Sequence, residues 1–118
     1  NFAGTFIAAF LAKMAHMDID STALAAKKLD NNIFNVFILS VFCGVMMYLA
    51  IDNYNKSKNI AFIVAPVMVF ILSGFEHSIA NMFYFHLAGS YNLKTFIYII
   101  VMAAGNGVGA KLFSLKPE

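Results

Sequence analysis

The chain has 118 residues, 61% of them hydrophobic and 12% charged, with a mean hydropathy of +0.76. That balance lies outside the range of a soluble domain and predicts a single all-α integral membrane unit. The net charge of +2 comes from lysines alone, in no cluster large enough for nucleic acid, and the lone Cys43 excludes an internal disulfide and fits no metal motif.

Residues 1–17 predict a first helix, with the small residues Gly4 and Ala8 spaced for close helix contact. The opening Asn1-Phe2-Ala3-Gly4 has no initiating Met and no basic segment ahead of an apolar core, so it predicts a fragment of a longer protein with no cleavable signal. Residues 18–31 form the longest polar connection, in which 21–29 predict a short helix capped by Asp20 or Ser21. His16, Asp18 and Asp20 read as a solvated helix end. Lys27 and Lys28 sit near the mouth of the next helix, where lysines either steer anions or anchor the chain at the interface. Residues 32–52 predict a second spanning helix, followed by a polar loop at 52–59.

The next apolar run, residues 60–88, is the informative one. As one straight helix it would measure about 43 Å, against a hydrocarbon core of about 30 Å. It also carries Glu76 and His77 at its centre, just after the helix-weakening pair Ser73-Gly74. Ionisable groups at that depth cost roughly 2.5 to 3.5 kcal/mol each, which makes function their default reading. The run therefore predicts a discontinuous helix, 60–73 and 78–88, broken across Ser73, Gly74, Phe75, Glu76 and His77, with the break facing protein or a polar cavity. His77 and Asn81 lie four apart, on one face of the second half-helix. Its first turn, from Ser78, is expected to offer free N–H groups to an anion at mid-membrane. Glu76 is expected to accept backbone N–H bonds at the break or to orient His77. The bland alternative for His77 is a structural histidine linking helices. His86, nine residues on, is too far from His77 to share a metal and reads as interfacial.

The last predicted helix, 93–113, contains the small-residue surface around Gly105, Asn106 and Gly109. Asn106-Gly107-Val108-Gly109 echoes Asn1-Phe2-Ala3-Gly4, a pattern expected of equivalent helices in two structural repeats. Orientation is weakly marked, because Lys56, Lys58, Lys111 and Lys116 fall on one side and Lys27, Lys28 and Lys94 on the other. That leans toward the Lys56 side as cytoplasmic.

The segment Ser73-Gly74-Phe75-Glu76-His77-Ser78-Ile79-Ala80-Asn81-Met82-Phe83 resembles the formate/nitrite transporter family. Supporting similarity includes the Asn-x-x-Gly helices, Met47-Tyr48-Leu49-Ala50 and Pro66. The resemblance implies an aquaporin-like six-helix protomer, a homopentamer with one pore per protomer, and residence in the bacterial cytoplasmic membrane. This chain would be the C-terminal half plus the end of the third helix, with the N-terminal half of the pore missing. His77 then corresponds to the central pore histidine, Glu76 to its neighbour in the broken helix and Asn81 to a pore-facing asparagine. Lys28 corresponds to an anion-attracting lysine on the vestibule wall, and Phe70 to an aromatic constriction. The chain departs from the pattern at Gly44, where many members carry Asn, which implies altered pore polarity or gating.

The implied cargo is a small monovalent weak-acid anion such as formate, nitrite or hydrosulfide, with no cofactor or metal. No nucleophile constellation suggests an enzyme. Two other readings remain open at this point. One is a neutral-solute channel for water, ammonia or glycerol on the same architecture. The other is a haem-bearing subunit, which would need axial histidines facing each other from two helices.

Overall fold

The structure, a computed structural model, describes residues 1–115, and Lys116 lies outside them. Six helices run in order: α1 (Phe2–Met14), α2 (Ser21–Asp30), α3 (Ile33–Ser57), α4 (Ala61–Leu72), α5 (Ser78–Ala88) and α6 (Leu93–Ser114). No strand occurs among the described residues. Two helices, α3 and α6, are each long and apolar enough to cross a membrane, whereas α1 and α4 are shorter apolar helices.

Helix ends follow local backbone chemistry rather than the apolar boundaries. α1 stops at Met14, short of the expected 17, because His16 takes a left-handed conformation (φ 52°). The turn closes with Met17 N–H on the Ala12 carbonyl and His16 N–H on the Lys13 carbonyl, a Schellman cap. Asp20 caps α2 by accepting the Ala23 N–H at 3.2 Å. α3 runs to Ser57, through most of the expected 52–59 loop. Polar residues alone do not end a helix. Past the apolar zone, Lys56 pairs with Asp52 one turn back at 2.8 Å, and the helix stops only where Lys58 turns left-handed (φ 57°).

The discontinuous helix has a defined local cause. α4 ends in a second Schellman cap: Gly74 sits at φ 69°, a conformation that strains any residue with a Cβ, and Phe75 N–H returns to the Phe70 carbonyl at 3.0 Å. The backbone is extended at His77 (φ −103°, ψ 119°), and α5 starts at Ser78. At about 18 Å and 16 Å, neither α4 nor α5 alone spans a hydrocarbon core of about 30 Å.

Packing centres on α3 against α6. A Cβ at Gly44 would collide with the Asn106 carbonyl, one at Gly109 with the Val41 carbonyl, and one at Gly105 would lie 2.5 Å from Ser40 Cβ. Backbone contact of this kind is how helices associate where lipid removes the hydrophobic drive between them. Gly4, by contrast, has nothing within 4 Å of an added Cβ. The buried cluster of Ala25, Val36, Phe85, Tyr98, Ile99 and Met102 joins α2, α3, α5 and α6. Tyr98 Oη donates to the Asn31 carbonyl at 2.7 Å, fixing the entry to α3.

Candidate functional site

The break between α4 and α5 frees backbone polar groups, and in an apolar setting each must find a partner. One side chain supplies two of those partners. Asn106 on α6 accepts the Ser78 N–H on Oδ1 at 2.9 Å, and its Nδ2 donates to the Glu76 and Ser40 carbonyls, both at 2.8 Å. Glu76 N–H reaches the Leu39 carbonyl at 3.4 Å. The broken segment is thereby tied to α3 and α6 together. Asn106 lies on the expected packing surface, with its backbone against Gly44, and its amide in addition clamps three backbone groups from two other segments. An asparagine in an apolar helix, which needs partners, was the available signal.

Glu76 is 5% exposed and its carboxylate has partners other than those expected. Oε2 accepts from Lys28 Nζ at 2.8 Å and from Asn81 Nδ2 at 2.6 Å, so it meets side chains of α2 and α5 rather than the break's own N–H groups or the His77 ring. Lys28 and Glu76 form an ion pair whose side chains are 19% and 6% exposed. Asn81, 2% exposed, gives its second amide hydrogen to Met102 Sδ at 3.0 Å. Both its donors are engaged within the protein, which leaves them unavailable to a solute.

His77 is the N-cap of α5. Its Nδ1 accepts the Ala80 N–H at 3.3 Å. That acceptor role assigns the proton of the neutral ring to Nε2. Two of the first-turn N–H groups expected to stand free, those of Ser78 and Ala80, are thus occupied by Asn106 and His77. The His77 ring stacks on Phe70, with centroids 6.0 Å apart and planes at 25°. Phe75 stacks in turn on Phe42 at 5.5 Å.

Two cavities adjoin the break. One, of about 250 Å³, is lined by Lys28, Phe70, Gly74, Phe75, His77, Asn81 and Tyr84 among others. The second, of about 280 Å³, is lined by Lys27, Lys28, Asn31, Gly74 and Glu76 with Leu24 and Leu39. Lys28 and Gly74 stand in both walls. Phe70, His77, Asn81 and Lys28 therefore share one cavity, Glu76 faces the neighbouring one, and Ser73 and Ser78 frame the break as the C-cap of α4 and first residue of α5. Gly4 lies on an exposed face of α1, away from both.

His86 is buried within the protein, at 4% exposure. Its Nε2 faces the Phe2 carbonyl at 3.1 Å, which can only accept, so Nε2 carries the proton and Nδ1 accepts from Tyr91 Oη at 2.7 Å. This bond set ties the start of α1 to the end of α5.

Comparison with known proteins bears on the whole chain. The family model described as formate/nitrite transporter matches residues 1–116. The formate channel FocA of Haemophilus influenzae is 34% identical over 91 residues, covering 68% of this chain and 32% of that protein. The uncharacterized transporter YrhG of Bacillus subtilis is 34% identical over 102 residues, covering 77% of this chain and 37% of that protein. The chain thus spans about a third of the length of these relatives. No solved structure matches it significantly. A match across nearly every residue, the broken helix included, means that the chain belongs to the formate/nitrite transporter family.

Proposed function

We propose that the complete protein carries small monovalent weak-acid anions, such as formate, nitrite or hydrosulfide, across a membrane through a pore that contains His77. The observation that carries the reading is the His77 ring itself. With Nδ1 engaged by Ala80 N–H, the neutral ring presents an Nε2–H donor beside Phe70 and Lys28 in a cavity at the helix break. A donor there can replace part of the hydration that an anion sheds on entering an apolar constriction. Family membership supports anion transport in general, and one similar protein is named a formate channel.

The same reading supplies the rest of the assembly. An N-terminal half related to this one as an inverted repeat completes an aquaporin-like protomer, five protomers assemble, and the pentamer sits in a bacterial cytoplasmic membrane. The reading fits an apolar face of α1 and an α4 without a buried residue, both of which call for further helices or lipid.

The test is a flux panel on the complete protein in proteoliposomes: formate, nitrite, hydrosulfide, acetate and lactate against glycerol, with His77→Ala alongside. Saturable passage of an anion that changes in the variant supports the assignment. Anion flux indifferent to His77→Ala, in protein that assembles normally, sinks the role given to the ring. A neutral-solute channel has one observation in its favour, since pairing with Glu76 removes most of the net charge that Lys28 would give the cavity. Passage of glycerol without anions would establish that alternative.

A further inference from the structure

Drawing an anion to the His77 cavity takes a positive charge that is not already neutralised. Lys28, which the family resemblance places as the recruiting lysine, gives its ammonium to Glu76 Oε2 at 2.8 Å. From a few ångströms away such a pair is a dipole, not a cation. Lys27, the preceding residue, differs in each respect. It is exposed on α2, lines the cavity of about 280 Å³ together with Lys28, Asn31, Gly74 and Glu76, and forms no ion pair among the described residues. Asp30, the acid closest to it along α2, is exposed and also outside ion-pair distance. That cavity shares Lys28 and Gly74 with the cavity holding His77, so Lys27 stands over the one that adjoins the His77 cavity at the break.

We infer that Lys27, rather than Lys28, is the residue that concentrates anions at the entrance to the His77 cavity, acting from the membrane face on which α2 lies. Lys28 instead positions Glu76 and, through it, Asn81. The inference rests on the anion-transport reading. A unit charge about 7 Å away in water raises the local concentration of a monovalent anion by roughly threefold. The effect is screened by salt, with a Debye length of about 30 Å at 0.01 M and about 3 Å at 1 M ionic strength.

The experiment measures initial anion uptake by the complete protein in proteoliposomes, at subsaturating and saturating anion, from each face, in about 0.01 M and about 1 M of an impermeant salt. Lys27→Gln is expected to lower subsaturating uptake roughly threefold at low ionic strength and from one face only. Its saturated rate and its high-salt behaviour should match the unmodified protein. Lys27→Arg should retain full uptake, and Lys27→Glu should fall below Lys27→Gln. Lys94→Gln removes a lysine that lines neither cavity and should leave uptake unchanged. Lys27→Gln uptake equal to that of the unmodified protein at low salt, a loss that persists at high salt, or an equal loss in Lys94→Gln overturns the inference while transport stands. An unmodified protein that passes no anion overturns the transport reading and this inference with it.

Discussion

Lys28 on α2 and Glu76 in the helix break are 48 residues apart in sequence and meet at 2.8 Å, with Glu76 5% exposed. An ion pair at such a site is weak evidence of stability in itself, because desolvation offsets much of the attraction. Removing one partner is a different matter, since it leaves a buried charge uncompensated. Lys28→Met should therefore destabilise the folded protein by about 3 to 5 kcal/mol. Adding Glu76→Gln to Lys28→Met should restore part of the loss, because the neutral amide can still meet Asn81 without needing a counter-ion. Denaturant unfolding in detergent micelles measures both, and two losses that simply add would show that the pair is not coupled.

Asn106→Ala removes three hydrogen bonds and leaves the Ser78 N–H and the Glu76 and Ser40 carbonyls to find other partners. The expected cost is about 2 to 4 kcal/mol, reduced if water enters the break. Asn106→Asp keeps the acceptor for Ser78 and loses both donations, so it should destabilise as well. Hydrogen exchange at Ser78 separates the two: protection is lost in the alanine variant and retained in the aspartate variant. Equal protection of Ser78 in both would contradict the clamp.

Gly44→Ala and Gly109→Ala should each reduce the yield of folded protein sharply, because the new Cβ meets backbone of the facing helix, which cannot swing aside as a flexible side chain would. Gly107→Ala, where an added Cβ meets nothing within 4 Å, should be tolerated. Recovery of monodisperse protein after detergent extraction reports the difference. If all three behave alike, close backbone contact does not set the α3–α6 interface.

His77 has two roles that can be separated. Asparagine is a good N-cap and can accept the Ala80 N–H that Nδ1 accepts here, while lacking the ring that stacks on Phe70. His77→Asn should fold with nearly native stability yet alter anion flux. His77→Ala should lose the cap as well, costing about 1 kcal/mol more. Thermal unfolding paired with flux on the two variants reads both roles. Native flux in His77→Asn would reduce the histidine to a helix cap.

Much of this molecule is written locally. The apolar run of residues 60–88 is too long and too charged at its centre for one helix, and Ser73-Gly74 ahead of Glu76-His77 marks where it breaks. Gly74 at φ 69° and the His77 cap are short-range chemistry, which is why the break could be anticipated from neighbouring residues. α3 runs past the end expected from its composition because a change from apolar to polar residues marks where a membrane ends, and not where helical hydrogen bonding ends.

The partners of the buried polar groups belong to the tertiary structure. Nothing near Glu76 in the chain points to Lys28, and nothing near Asn106 points to Ser78, because each bond joins segments brought together only when α2, α3, α5 and α6 pack. That packing turns Lys28 from a free cation into half of an ion pair and leaves Lys27, its neighbour with the same charge, exposed to the cavity. Residue type settles what a side chain can do. Which of two adjacent lysines keeps its charge available depends on which carboxylate the fold carries to within 3 Å of it, a distance that no local pattern encodes.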